Sequence, residues 1–371
     1  MHNDAKDDRR AVYVMTNATP NAIQVFHRAG DGMLSPGASY PTGGNGHAPN
    51  PPLGFPILES QSALVLSRDG RMVFAVNAGS DTISSFVVRR GGELQRVGLV
   101  SSNGTRPVSL ALHEGVLYVA SADSKSIQGY RVGHTGELTM LAGASRSLSG
   151  SGIATIAFNR TGDVLVIASR GDGEPMGSLE TVTVDDHGMP GPVRRQDVVK
   201  AGQAPFGFTF DRRGHVILSN LSLTGDSSVS RYSVAPTGEM RLIAEQRIFT
   251  TAACWVATAT AGPSTFAFIT SAGSRSVTAL RVDRSGSLTP VGPLSATEQA
   301  AFTSGLALDC AVSMGDDFLY VLSPDGFSVP PFTGAGPAVV HGYRIEPSGA
   351  LTSLGPPVGR LPQGATGLAA V

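Results

Sequence analysis

Cysteine is almost missing from this chain. Cys254 and Cys310 are the only two, too few for a disulfide framework or a thiolate zinc site. Both lie in apolar, strand-like runs and are expected to be buried small hydrophobes. A charge excess of one sign is missing as well. With 28 basic and 29 acidic residues the formal charge is −1, which provides no basic face for nucleic acid or anionic lipid. No run reaches the roughly 18 apolar residues of a membrane-spanning helix. The opening stretch, Met1 to Arg10, has no apolar core and does not read as a signal peptide. The expectation is a cytoplasmic chain, with an exported chain that has lost its leader as the alternative. Nucleotide and nucleophile motifs are absent too. Gly334-Ala-Gly336 is not set in a βαβ unit, and Ser149-Gly-Ser-Gly152 is a loop in an all-β context rather than a nucleophile elbow. No His and carboxylate cluster has metal-ligand spacing. Neither a metal with side-chain ligands nor a cofactor is expected, while a calcium ion held by carbonyls and Asp on the propeller axis stays open.

What is present is a repeat. A unit of about 18 residues, an apolar/polar alternation, a glycine turn and a second alternation, returns seven times. Its branched apolar anchor and turn glycine are Ile23 and Gly32, Ile83 and Gly92, Ile127 and Gly136, Leu179 and Gly188. The later copies are Val229 and Gly238, Val277 and Gly286, Val340 and Gly349. The offset is nine residues in all seven, while copies begin 44 to 63 residues apart. Period-two segments joined by glycine turns at this spacing predict a propeller of four-stranded blades. Gly 46 and Pro 24 suit the many tight turns.

Extending one copy backwards gives a full blade: strand A at 63–67, B at 71–77, C at 82–88 and D at 94–100. The other A strands are expected at Val108–Leu112, Ala154–Phe158, Phe206–Phe210, Cys254–Ala257 and Leu306–Cys310. The first blade lacks one. Its missing strand is found at the far end, in Ala365–Val371, which predicts closure by C-terminal pairing and the removal of free sheet edges. The fold class is therefore an all-β, seven-bladed propeller over 11–371, behind a polar tail at 1–10.

Alternating strand direction puts the short A–B and C–D turns on one face and the B–C and D–A loops on the other. The second set holds the long, irregular segments, including Tyr40–Ser62, Ser169–Ser178 and Ser323–Ala338. Function concentrates on such loops, so the mouth at that face is the expected site. His27, His113, His134, His187 and His215 fall on the short-turn side. His47, in the longest loop, and His341 can approach the mouth.

B strands such as Leu117-Tyr-Val-Ala-Ser121, paired with Gly-Glu-Leu turns, resemble the lactonase-type seven-bladed propellers. That family includes 6-phosphogluconolactonase and the carboxymuconate cyclising enzymes. The resemblance implies a lactone-opening or ring-closing activity, with Pro-His steps at A-strand starts and arginines and a glutamate at the mouth. This chain departs from that pattern. Pro107 is followed by Val108 and Pro205 by Phe206, while Asn220 is followed by Leu221 where the family places glutamate.

Arg106, Arg170, Glu174 and His47 are the candidate catalytic residues. The arginines suit a carboxylate or developing oxyanion, and Glu174 suits a general base acting on water. The competing reading has Arg170 paired with Asp172 or Glu174 across a solvated loop. Phe206, Asn220, Trp255, Asp172 and Phe327 are the candidate substrate contacts. Leu53, Phe55 and Pro56 add apolar surface, and Gly43–Pro52 could fold over as a lid. The expected partner is a small, fairly apolar lactone or carboxylate, with no nucleic acid and no membrane. The alternative is a propeller without catalysis that binds a protein or small ligand. Nothing in the sequence sets an oligomeric state.

Overall fold

Each copy of the repeat folds as two antiparallel strands, C and D, around its turn glycine, and two further strands complete a blade. The computed structural model describes residues 9–47, 58–171, 177–196, 202–294, 299–324 and 336–371. Seven sheets are formed, each with strands in the order A-B-C-D. Blade 1 joins strand A, Thr366–Ala370, to B Ala11–Met15, C Ala22–Arg28 and D Leu34–Pro41. Blade 2 comprises Leu64–Leu66, Met72–Asn77, Thr82–Val88 and Leu94–Ser101. Blade 3 comprises Pro107–His113, Val116–Ser121, Ser126–Val132 and Leu138–Ser147. Blade 4 runs through Ile153–Phe158, Val164–Ser169, Ser178–Val184 and Pro190–Gln196. Blade 5 runs through Ala204–Phe210, Val216–Leu221, Ser228–Val234 and Met240–Arg247. Blades 6 and 7 start at Ala253–Ala261 and Cys310–Val312, and each divides its outer strand into two short pieces.

Closure is as expected. Tyr13 pairs with Ala369 and Val14 with Leu368, so the C-terminal strand is the inner strand of the N-terminal blade. One strand differs from expectation. The inner strand of blade 7 is Cys310–Val312, not Leu306–Cys310. Asp309 is the reason: its buried carboxylate accepts the amides of Cys310 and Leu368, each at 2.9 Å, which diverts the chain from a regular ladder.

The turn glycines explain the repeat. All seven have φ between +79° and +111°, the left-handed region that glycine enters without a Cβ clash. Each turn also presses on the preceding blade. A Cβ on Gly32 would lie 2.4 Å from the ring of Phe318, and one on Gly349 would lie 2.3 Å from Phe266. Buried tyrosines tie the same contacts. Tyr13 donates to the carbonyl of Gly92 (3.0 Å), Tyr118 to Gly188 (2.9 Å) and Tyr320 to Gly32 (2.7 Å). Between blades 5 and 6 a buried Arg231 takes this role, donating to the carbonyl of Asp283 (3.0 Å) and pairing with Asp211 (2.6 Å). The core thus lies between blades, and the glycine marks where neighbours meet.

Candidate functional site

At the face formed by D–A and B–C loops, one short segment crosses the inner strands. Residues 58–62 lead into blade 2 and are tied to four other blades. Ser60 donates to the carbonyl of Val108 (2.8 Å), and the Gln61 amide donates to Ala154 (2.8 Å). The Gln61 carboxamide donates to the carbonyls of Phe208 (2.9 Å) and Val256 (3.1 Å) and accepts the amide of Val256 (2.9 Å). Trp255 Nε1 donates to the carbonyl of Ser60 at 2.9 Å. This strap therefore floors the mouth. Glu59 and Ser62 hold φ of 54° and 64° within it, a conformation that non-glycine residues keep only when the surroundings over-determine it.

The strap carries a carboxylate to an arginine. Glu59 Oε2 accepts from Arg170 Nη2 at 2.7 Å, with the two side chains 30% and 33% exposed. They are thus reachable from solvent but partly shielded from it. Arg170 is positioned through its backbone, because its amide and that of Gly171 donate to Gly152 (3.0 Å) and Ser151 (2.9 Å). That step is held in turn by buried Glu180, which accepts the amides of Ser149 (2.8 Å) and Gly150 (3.2 Å).

A second charged pair stands on the same face. Arg106 Nε donates to Asp123 Oδ1 at 2.7 Å, and its backbone amide donates to Asp81 at 2.7 Å. His47 is anchored by its amide on Asn17 Oδ1 (2.8 Å). Burial holds its imidazole below the usual histidine range, and the charge of Arg106 adds to this against Asp123 and Glu59. The ring is therefore neutral at neutral pH. Burial, with Glu59 adding to it and Arg170 opposing, pushes the Cys254 thiol far up. This thiol is no nucleophile.

Several expected site residues stand elsewhere. Phe206 and Trp255 are each 3% exposed and meet edge to face at 5.1 Å. They form the apolar layer under the strap rather than an open wall. Asn220 lies inside blade 5, its amide donating to Ser228 (3.0 Å) and Ser230 (2.8 Å), which leaves it no free donor for a substrate. Asp172, Glu174 and Phe327 lie outside the described residues, as do Leu53, Phe55, Pro56 and residues 48–52 of the expected lid. Arg170 is paired with Glu59 of the strap. His341 rests against Ser304, with Nε2 3.3 Å from Oγ. Glu59, Gln61 and Asp123 were not legible as site residues. The one available signal was a polar run, Glu59-Ser-Gln61, immediately before an inner strand. Among the described residues no three His, Cys, Asp or Glu side chains are grouped to hold a metal ion. No helix there is long and apolar enough to cross a membrane.

A family model described as "Lactonase, 7-bladed beta-propeller" matches residues 2–148. Solved structures similar over the whole chain include a candidate 6-phosphogluconolactonase from Bacteroides fragilis, 17% identical, covering 100% of both chains with a TM-score of 0.68. They also include the periplasmic gluconolactonase of Pseudomonas aeruginosa, 18% identical, covering 98% of this chain and 99% of that one, again at 0.68. A Lactobacillus plantarum protein is 16% identical over 98% of this chain and 99% of its own, also at 0.68. At these identities the likeness shows the propeller fold. No curated protein matches the sequence.

Proposed function

We propose that this protein opens, or in reverse closes, the ring of a small lactone at the strapped mouth. The observation that carries the reading is the Glu59–Arg170 pair at 2.7 Å, partly shielded and joined by Arg106 and neutral His47 on the same face. The N–H groups of Arg170 not used by Glu59 bind the lactone carbonyl oxygen and the charge that develops there. Glu59 takes a proton from a water molecule whose oxygen bonds to the carbonyl carbon. The ring C–O bond then breaks, its oxygen recovers that proton from Glu59, and the product acid releases one proton to solvent. Arg106 holds a carboxylate substituent, and neutral His47 is a second proton acceptor. The lactonase family match and the gluconolactonase fold likeness support the substrate class.

A second reading is a non-catalytic binding scaffold. The observation favouring it is the filled axis: Trp255 and Phe206 close the floor, so a ligand rests on the strap rather than entering a channel. Proton release measured with a pH indicator across a panel of γ- and δ-lactones separates the two. Release that is lost in Arg106→Ala and Arg170→Ala supports the enzyme. Silence across the panel supports the scaffold.

A further inference from the structure

A cavity lies at the opposite end of the propeller. It encloses about 1160 Å³ and is lined by the A–B turns of blades 2 to 7, with a C–D turn of blade 3 at its rim. No residue of the strapped mouth lines it. Its charged lining holds five arginines, Arg68, Arg71, Arg131, Arg160 and Arg212, against four carboxylates, Asp69, Glu114, Asp211 and Asp316.

Three of these come from one repeated design. Ser67-Arg68-Asp-Gly70, Asn159-Arg160-Thr-Gly162 and Asp211-Arg212-Arg-Gly214 place arginine second in the A–B turn of blades 2, 4 and 5. The first residue of each turn fixes the loop from its side chain. Ser67 Oγ accepts from Arg71 N (3.1 Å), Asn159 Oδ1 from Val164 N (3.1 Å) and Asp211 Oδ1 from Arg213 N (2.8 Å). The glycine closes each turn at φ between +66° and +80°. The arginine is thereby delivered, exposed, to the same rim in three blades.

These cations are not neutralised in place. Among the described residues the guanidinium groups of Arg68 and Arg212 have no hydrogen-bonding or ionic partner, and those of Arg160 and Arg131 donate only to the carbonyls of Arg212 (3.0 Å) and His187 (2.7 Å). Three carboxylates of the lining are occupied, and the fourth is solvated. Asp69 is held by Ser67 Oγ (2.6 Å) and lies 3.6 Å from Arg71, and Asp211 is held by buried Arg231 (2.6 Å). Asp316 accepts the amide of Thr260 (3.0 Å), and Glu114 is 80% exposed. A concave rim of guanidinium groups carried on fixed turns, four of them without a carboxylate partner among the described residues, attracts a compact anion with several oxyanion groups, which arginine grips in bidentate fashion. We infer that this funnel is a second binding site, for a small molecule carrying two or more phosphate or carboxylate groups.

The inference is independent of the activity proposed for the mouth. Its test is calorimetric titration of the full chain with tripolyphosphate and, separately, citrate at low ionic strength, where screening is weak. One saturable site is expected, at least tenfold weaker in the Arg68→Gln/Arg212→Gln double variant, retained in the Arg68→Lys/Arg212→Lys variant and unchanged in Arg170→Gln. A tighter fit of the first probe assigns phosphate, and of the second carboxylate. Absence of saturable binding with both probes, or binding equally strong in the double glutamine variant, overturns the inference. So does binding lost in Arg170→Gln, which would place the anion at the mouth. Unchanged thermal unfolding of the double variant separates a lost site from a lost fold.

Discussion

Glu59 and Arg170 are 111 residues apart in sequence and 2.7 Å apart in space. The contact exists because the chain crosses the inner strands before it enters blade 2. The pair is about one-third exposed, so it contributes little to stability, about 0–1 kcal/mol. Glu59→Gln should therefore leave the melting temperature within a few degrees of the native value while turnover of a responsive lactone falls by roughly 10²-fold or more. Parallel calorimetry and kinetics check the split. A loss of fold accompanying the loss of rate would move Glu59 from chemistry to structure.

The strap itself is testable through Gln61. Its carboxamide makes three hydrogen bonds to the backbone of Phe208 and Val256. Gln61→Leu leaves those buried groups without partners, at about 1–3 kcal/mol for each group left unsatisfied. Urea unfolding followed by fluorescence reads this directly, since Trp255 is the only tryptophan and bonds the same strap. Native emission should be blue-shifted, as befits a ring 3% exposed. The unfolding midpoint should drop in the variant.

Turn glycines should differ according to what they touch. Gly32 has φ +92° and would set a Cβ 2.4 Å from Phe318, whereas Gly262 has φ +57° and would meet no atom within 4 Å. Alanine costs about 1 kcal/mol for the conformation at either site, with about 1–3 kcal/mol more at Gly32 for overpacking. Chemical denaturation of Gly32→Ala and Gly262→Ala should show that ordering. Equal effects would mean that blade-to-blade packing is not what selects glycine there.

Asp309 makes closure sensitive to pH. Burial pushes its carboxyl up to about 7, against the lowering effect of backbone amides from Leu368, Cys310 and Gly367. The native state therefore holds a proton that the unfolded chain releases near the usual carboxylate range. Stability from this group is present below that range and is lost as pH rises toward 7, by on the order of a few kcal/mol. Melting temperature should fall between pH 5 and 7.5, and Asp309→Asn should flatten that slope.

The architecture was legible because one physical requirement repeats. A left-handed residue pressed against the preceding blade favours glycine, so Gly32, Gly92 and their five counterparts printed the ring into the sequence. Closure was legible because the chain starts one strand short. The inner strand of blade 7 was misplaced because a single buried carboxyl group, that of Asp309, outweighs the strand pattern at Leu306–Cys310. Arg106, Arg170 and His47 were legible as residues of the mouth-side loops, since that placement follows from strand direction. Glu59 was not, because its role depends on where a non-repeating segment crosses the molecule. Asn220 was misassigned because a polar residue ending a B strand reads the same whether it faces solvent or a neighbouring serine.

The most direct measurement is the steady-state rate of proton release from a hydrolysable lactone by the native protein and by Glu59→Gln, at equal protein concentration and pH 7. Ring opening that depends on the carboxylate paired with Arg170 predicts measurable release by the native protein and a drop of at least 10²-fold in the variant. Release that persists unchanged in Glu59→Gln would contradict the strapped mouth as the seat of the reaction.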